Sequence, residues 1–191
     1  MEIFKFGGAS VKDAAGVKNV LEVLKTVGHE NVLLVISAMG KTTNALEIVI
    51  KNYFDKSNEL YASLQDIRKY HNQILLDLFE DEEHEVFFDI NAHFDDLEYF
   101  VRSNKSPNYP FVYDQIISIG ELVSTTIVSH YLNFAGISNQ WLDVRQYIKT
   151  DNNYRDANVD WEHTQKLISK INRKKSLFVT QGFIGADENN F

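Results

Sequence analysis

Three short stretches of this sequence combine glycines with groups that handle anions, and a fourth sets one carboxylate where charge is otherwise missing. Lys5-Phe6-Gly7-Gly8-Ala9-Ser10 lies where an apolar-leaning opening gives way to a helical pattern. Paired glycines at such a junction let successive backbone N–H groups converge on an anion, and Lys5 and Ser10 add a charge and a hydroxyl. A lysine within a short buried-type strand needs a partner for its ammonium, and a phosphate at the strand's C-terminal edge supplies one. The same residues also describe a tight strand-to-helix turn with Ser10 as helix cap.

Ser37-Ala38-Met39-Gly40-Lys41-Thr42-Thr43-Asn44 is a second small-residue loop after a second strand. Gly40-Lys41-Thr42 imitates the end of a P-loop, but the first glycine of that motif would fall on Val35, so the Walker reading is rejected. What remains is a loop at the ligand-binding edge of an open sheet, or a bare connector. Thr180-Gln181-Gly182-Phe183-Ile184-Gly185 follows the last strand and reads as a third loop of the same cleft, or as a turn with a core Phe. Glu121 is the only charged residue from Gln115 to Leu142. At helical spacing Asp114, Ser118, Glu121, Thr125 and Ser129 form one polar stripe. Solvated stripes usually carry long Lys and Glu side chains, whereas short hydroxyls around one carboxylate suit a ligand-facing wall. Asp143-Val144-Arg145 reads as an internal ion pair or a support for that wall.

Other patterns carry less. His84-Glu85 lacks the second histidine of a zinc-protease helix, since position 88 is Phe88. Glu80 to Glu83 reads as a solvated helix start, no G-x-S-x-G elbow is present, and the Asn104-Lys105-Ser106 sequon is a chance match.

The elements that must hold these groups follow from periodicity. Met1–Phe6 predicts a strand, Val11 to Leu24 a helix closed by Gly28, and Asn31–Ser37 a nearly continuous apolar strand of the kind buried in parallel sheets. Ser138–Val144, a helix near Trp161–Asn172 and a strand at Ser176–Thr180 predict a second βαβ unit. Between the two units, Thr43–Asn104 is strand-poor, with apolar positions three and four apart that predict three helices. Pro107 and Pro110 mark the loop that returns to the main body. A long helix fits Asp114–Gly136, and with no Lys or Arg from Gln115 to Val144 it must be mostly buried.

Composition limits the partners. The 191 residues are 44% hydrophobic and 24% charged, the balance of a folded protein, and the formal charge of −8 repels polyanions, so nucleic acid and acidic membrane are not expected. The absence of cysteine removes disulfides, thiolate chemistry and Cys-based zinc sites. The longest apolar stretch, Val32–Ile36, is far short of a membrane span, and the N-terminus has no secretory pattern, which predicts a cytoplasmic protein.

Taken together, Lys5 to Val11, Ser37 to Asn44, Gly120-Glu121-Leu122-Val123-Ser124 and Val179 to Gly185, in this order and spacing, resemble the aspartokinases of the amino-acid kinase superfamily. The resemblance implies an incomplete three-layer α/β/α sandwich with a mostly parallel sheet and a helical excursion over 43–104. It implies phosphorylation of the side-chain carboxylate of L-aspartate by ATP, with Mg2+ carried by the nucleotide, on the way to lysine, threonine and methionine. By similarity, Lys5, Gly7 and Gly8 stabilise the transferring phosphoryl with Ser10 close by, and Thr43, Glu121 and Phe183 fall on aspartate-site positions, Glu121 pairing with the substrate ammonium. In the family the chain continues into a Gly-Arg-Gly-Gly-Ser-Asp stretch that these 191 residues do not contain. The sequence therefore resembles the N-terminal part of such an enzyme, without the rest of the nucleotide lobe or the regulatory ACT domains. The expectation is little or no kinase activity from the isolated chain, and self-association through uncovered surface. The rival expectations are a non-catalytic half-domain that binds aspartate or a partner subunit, and a kinase of another small carboxylate.

Overall fold

The computed structural model describes residues 1–171 and 177–191. Among them, four strands form one all-parallel sheet in the order β1-β2-β4-β3, and six α-helices surround it: an α/β fold. The strands are β1 (Glu2–Phe6), β2 (Val32–Ile36), β3 (Gln140–Leu142) and β4 (Leu177–Gln181). The helices are α1 (Ala14–Val27), α2 (Thr42–Phe54), α3 (Leu60–Leu78), α4 (Glu85–Ser103), α5 (Tyr109–Phe134) and α6 (Trp161–Ile168). Asn172 and Ser176, the expected ends of the last helix and strand, lie outside the described residues.

Two crossovers run one way across the sheet, β1 to β2 and β2 to β3, and one runs back, β3 to β4. Right-handed crossovers therefore put α1 and the α2–α5 block on one face and α6 on the other. The contacts of α1 with α3 and α5 agree with this. On the helix-covered face, Phe4, Leu34, Val179 and Trp141 stand in register and join the main core. On the opposite face Phe178 and Thr180 are buried, Val35 is half-buried, and Ile3 and Lys5 on the edge strand are exposed.

The helical excursion is built as its periodicity dictates. In α4, Val86, Ile90, Phe94, Leu97 and Val101 are all buried, and each such side chain removed from water stabilises the fold by about 2 kcal/mol. The end signals are local: Asp13 accepts from the Gly16 amide to cap α1, and Gly28, at φ 95°, ends it. Ser10 is thus not the cap of α1. It sits in a 3-10 turn, Gly8–Val11, that precedes the helix by a few residues.

The longest helix starts earlier than the periodicity indicates. Pro110 lies in the first turn of α5 and not in the loop before it, because a proline there gives up only an N–H that has no helical partner, and Asn108 caps the Phe111 amide at 3.2 Å. By length and composition alone α5 could cross a membrane. Here it runs against the sheet, α2 and α4, with Val112, Ile116, Val123, Ile127 and Leu132 buried. Its apolar residues are interrupted by Ser, Thr and Gly, so a count of consecutive apolar residues does not find it.

Candidate active site

The first two loops lie against each other at the C-terminal edge of β1 and β2. The Gly40 amide donates to the Gly8 carbonyl at 2.9 Å, and the Ser37 amide to the Phe6 carbonyl at 3.0 Å. A Cβ on Gly8 would stand 2.5 Å from the Ala38 carbonyl oxygen, so the close approach requires glycine at that position; Gly7 has open space beside it. Gly16 is equally constrained, by the Ser10 backbone passing over α1. Ser10 and Thr43 are both exposed at this edge, Thr43 in the first turn of α2. Lys5 departs from the sequence expectation: among the described residues β1 is the outermost strand and Lys5 is exposed, so burial does not set the demand on its ammonium.

The polar stripe of α5 turns inward, which excludes the solvated alternative. Thr125 and Ser129 are buried against the sheet: Thr125 Oγ1 accepts from Trp141 Nε1 at 2.9 Å and Gln181 Nε2 at 2.6 Å, and Ser129 Oγ donates to Asn139 Oδ1 at 2.7 Å. Ser124 Oγ donates to the Ser37 carbonyl at 2.7 Å, tying α5 to the second loop. Gly120 makes the approach possible, since its missing Cβ would stand 3.1–3.2 Å from Ala38, Leu46 and Thr42. Glu121 is thereby held beside both loops. Toward the helix N-terminus, Asp114 and Ser118 line a cleft of about 660 Å³ together with Arg145, Gly182 and Phe183.

Glu121 is 7% exposed. Its Oε2 accepts from the amides of Gly182 at 2.9 Å and Phe183 at 3.1 Å, so the carboxylate seats the third loop. Among the described residues Oε1 has no hydrogen-bond partner. Burial pushes the Glu121 carboxyl above its usual range, opposed by the Phe183 and Gly182 amides and by the Lys5 ammonium. Phe183, 75% exposed, is no core residue; its ring lies 4.4 Å from Lys5 Nζ, a cation–π pair across the mouth of the site. Asp143 and Arg145 form the anticipated ion pair, with Arg145 Nη2 at 2.7 Å from Asp143 Oδ2. Beside it the Val144 amide donates to Gln181 Oε1 at 2.8 Å.

The structure thus brings Lys5, Glu121 and Phe183 together directly and places Gly7, Gly8, Ser10 and Thr43 on the two adjoining loops. Sequence reasoning missed Gln181, which links α5 to the end of β3, and Gly16. A single glutamine ending an apolar strand was the available signal for the first; Gly16 gives none, because its constraint is a backbone contact. The arrangement offers an anion cradle, a buried carboxylate able to hold a cation, and an apolar ring between them.

The amino acid kinase family model matches residues 1–191. The bifunctional aspartokinase/homoserine dehydrogenase 2 of Escherichia coli K12 is 26% identical over 186 residues, 96% of this chain and 22% of that protein. The aspartokinase of Chlamydia trachomatis is 26% identical over 185 residues, 96% of this chain and 40% of its own length. Among solved structures, E. coli aspartokinase III in complex with lysine and aspartate superposes with a TM-score of 0.88 at 25% identity, over 99% of this chain and 42% of that one. The same enzyme with aspartate and ADP gives 0.87, with the same identity and coverage. The chain spans less than half the length of these relatives. With the family model matching from the first residue to the last and the sheet, helices and loops in the same arrangement, the chain belongs to the amino acid kinase family.

Proposed function

We propose that the chain carries the acceptor side and phosphate cradle of an aspartate kinase, an enzyme that transfers the γ-phosphoryl group of ATP to the side-chain carboxylate of L-aspartate. Glu121 carries this reading: a buried carboxylate with one oxygen held by two loop amides and the other without a hydrogen-bond partner among the described residues is suited to an α-ammonium. The E. coli enzyme solved with aspartate and with ADP lends support from outside the chain. We assign residues 1–191 to the N-terminal part of an amino-acid-kinase domain, with 43–104 as a helical excursion.

In the reaction, an oxygen of the substrate carboxylate attacks the γ-phosphorus while the bond from that phosphorus to the β,γ-bridging oxygen breaks, and ADP leaves with the electron pair. An ionised carboxylate needs no base, so the protein's part is positioning and charge neutralisation. Lys5 and the Gly7 and Gly8 amides face the transferring phosphoryl, with the Ser10 hydroxyl beside them. Glu121 holds the ammonium, and Thr43 and Phe183 flank the substrate. Among the described residues no three His, Asp or Glu side chains are grouped to hold a metal ion; the Mg2+ of this reading comes with the nucleotide, and no residue is assigned to it.

Calorimetric titration of the 191-residue protein tests the reading. L-aspartate is expected to bind saturably and D-aspartate not at all; equal binding of the two, or no binding of either, defeats it. Little ATP-dependent aspartyl hydroxamate is expected from these residues alone, and robust formation would overturn that expectation.

A further inference from the structure

Tyr70 and His71, both on α3, reach the loops of the site. Tyr70 Oη donates to the Lys12 carbonyl, at the end of the first loop and next to the Asp13 cap of α1. The same hydroxyl stands 2.7 Å from where a Cβ on Gly40 would be, so the second loop passes directly beneath it with Gly40 at φ 55°. His71 is fully buried, its ring 4.9 Å from that of Tyr70. Its Nδ1 lies 2.8 Å from the Ile67 carbonyl oxygen. Two acceptors cannot face each other at that distance, so Nδ1 carries the proton. Nε2 faces Thr42 Oγ1 at 3.4 Å, and that hydroxyl donates to the Met39 carbonyl at 2.6 Å. Burial pushes His71 down to about 4, so the ring is neutral near pH 7.

Resting on the aspartate kinase reading, we propose that Tyr70 and His71 are positioning residues, which fix the spacing of the first two loops and through it the phosphate cradle against the start of α2. Neither touches the reacting groups. Tyr70 holds both loops from outside, at Lys12 and Gly40. His71 packs against Thr42 from inside, its unprotonated Nε2 facing a hydroxyl whose proton goes to Met39. The Gly40 to Gly8 hydrogen bond joins the two halves.

Amide-resolved hydrogen exchange of the ligand-free protein tests this with Tyr70→Phe, which keeps the ring over Gly40 and removes only the hydroxyl. Tyr61→Phe, on an exposed position of the same helix, is the control. About fivefold faster exchange is expected in segments 8–12 and 39–44, the factor matching the net worth of one hydrogen bond. The melting temperature should fall by about 2–4 °C, and amides exchanging through local openings that leave the Tyr70–Lys12 contact intact should stay as in the wild type. His71→Gln is expected to loosen 39–44 more than 8–12. Unchanged exchange in both segments, or the same acceleration everywhere, overturns the proposal. In parallel, Tyr70→Phe should weaken L-aspartate binding about fivefold, and unchanged affinity also overturns it. Failure of the wild-type protein to bind L-aspartate defeats the functional reading instead, and the exchange comparison, which contains no ligand, still decides this inference.

Discussion

His71 in the helical block and Glu121 at the loop cluster are both ionisable side chains taken out of water, and their surroundings treat them in opposite ways. Desolvation favours the neutral form of each, pushing His71 down to about 4 and Glu121 above its usual range. Around His71 only one backbone bond opposes that trend, and the ring sits among Phe94, Ile67 and Thr42 as a neutral packing group. Around Glu121 two amides and the Lys5 ammonium oppose it. The helical block therefore offers a neutral side chain little that would favour charge, whereas the surroundings of Glu121 set two amides and an ammonium against its burial. Opposed influences on one buried carboxylate are what the proposed ammonium site requires.

The acid side of the stability profile breaks or sharpens that contrast most strongly. The folded value of His71 lies below the unfolded one, so the unfolded chain takes up the proton first. The stability contributed by neutral burial is complete above about pH 6.5 and is lost as pH falls toward 4, by about 3 kcal/mol in all. Urea unfolding of wild type and His71→Gln at pH 7 and pH 4 should show the variant losing about 3 kcal/mol less across the interval. Glu121 has the opposite sign: its raised value means that stability falls as pH rises through it.

The two glycines of the first loop test the packing half of the contrast. Gly8→Ala forces a methyl group onto the Ala38 carbonyl and is expected to cost about 1–3 kcal/mol. Gly7→Ala meets open space and should change stability by less than about 0.5 kcal/mol. Thermal melts of the pair read this difference directly. Smallest of all, Lys5→Ala removes an exposed ammonium over the Phe183 ring and should shift stability by about 0.5 kcal/mol or less. On the proposed reading its larger effect falls on phosphate binding, which pyrophosphate titration measures.

The helical block was legible because its apolar positions repeat every three or four residues; the run from Val86 to Val101 lies within α4, whereas the runs at 60–67 and 74–78 join in the single helix α3, and α2 lies ahead of any position that spacing marked. The strand at Ser138–Val144 contracted to Gln140–Leu142 because Asp143 caps a 3-10 turn by accepting from the Arg145 amide. At the site, glycine pairs and a lone glutamate were visible as types and spacing. The direction of the stripe was not, because solvent and sheet sit on opposite sides of α5 and periodicity alone does not tell them apart. The exposure of Lys5 was not legible for a related reason, since strand composition does not reveal which of the described strands lies outermost. Tyr70 and His71 were invisible because their loop contacts run between segments about thirty to sixty residues apart.

Glu121→Gln, compared with wild type at pH 7 by calorimetric titration and thermal melting, reaches the central claim most directly. The amide keeps an acceptor oxygen for Gly182 and Phe183 while removing the charge. The predicted result is a melting temperature equal to or above that of the wild type, with L-aspartate affinity reduced at least about tenfold. Undiminished L-aspartate affinity would contradict the account, because the carboxylate would then serve only to seat the third loop.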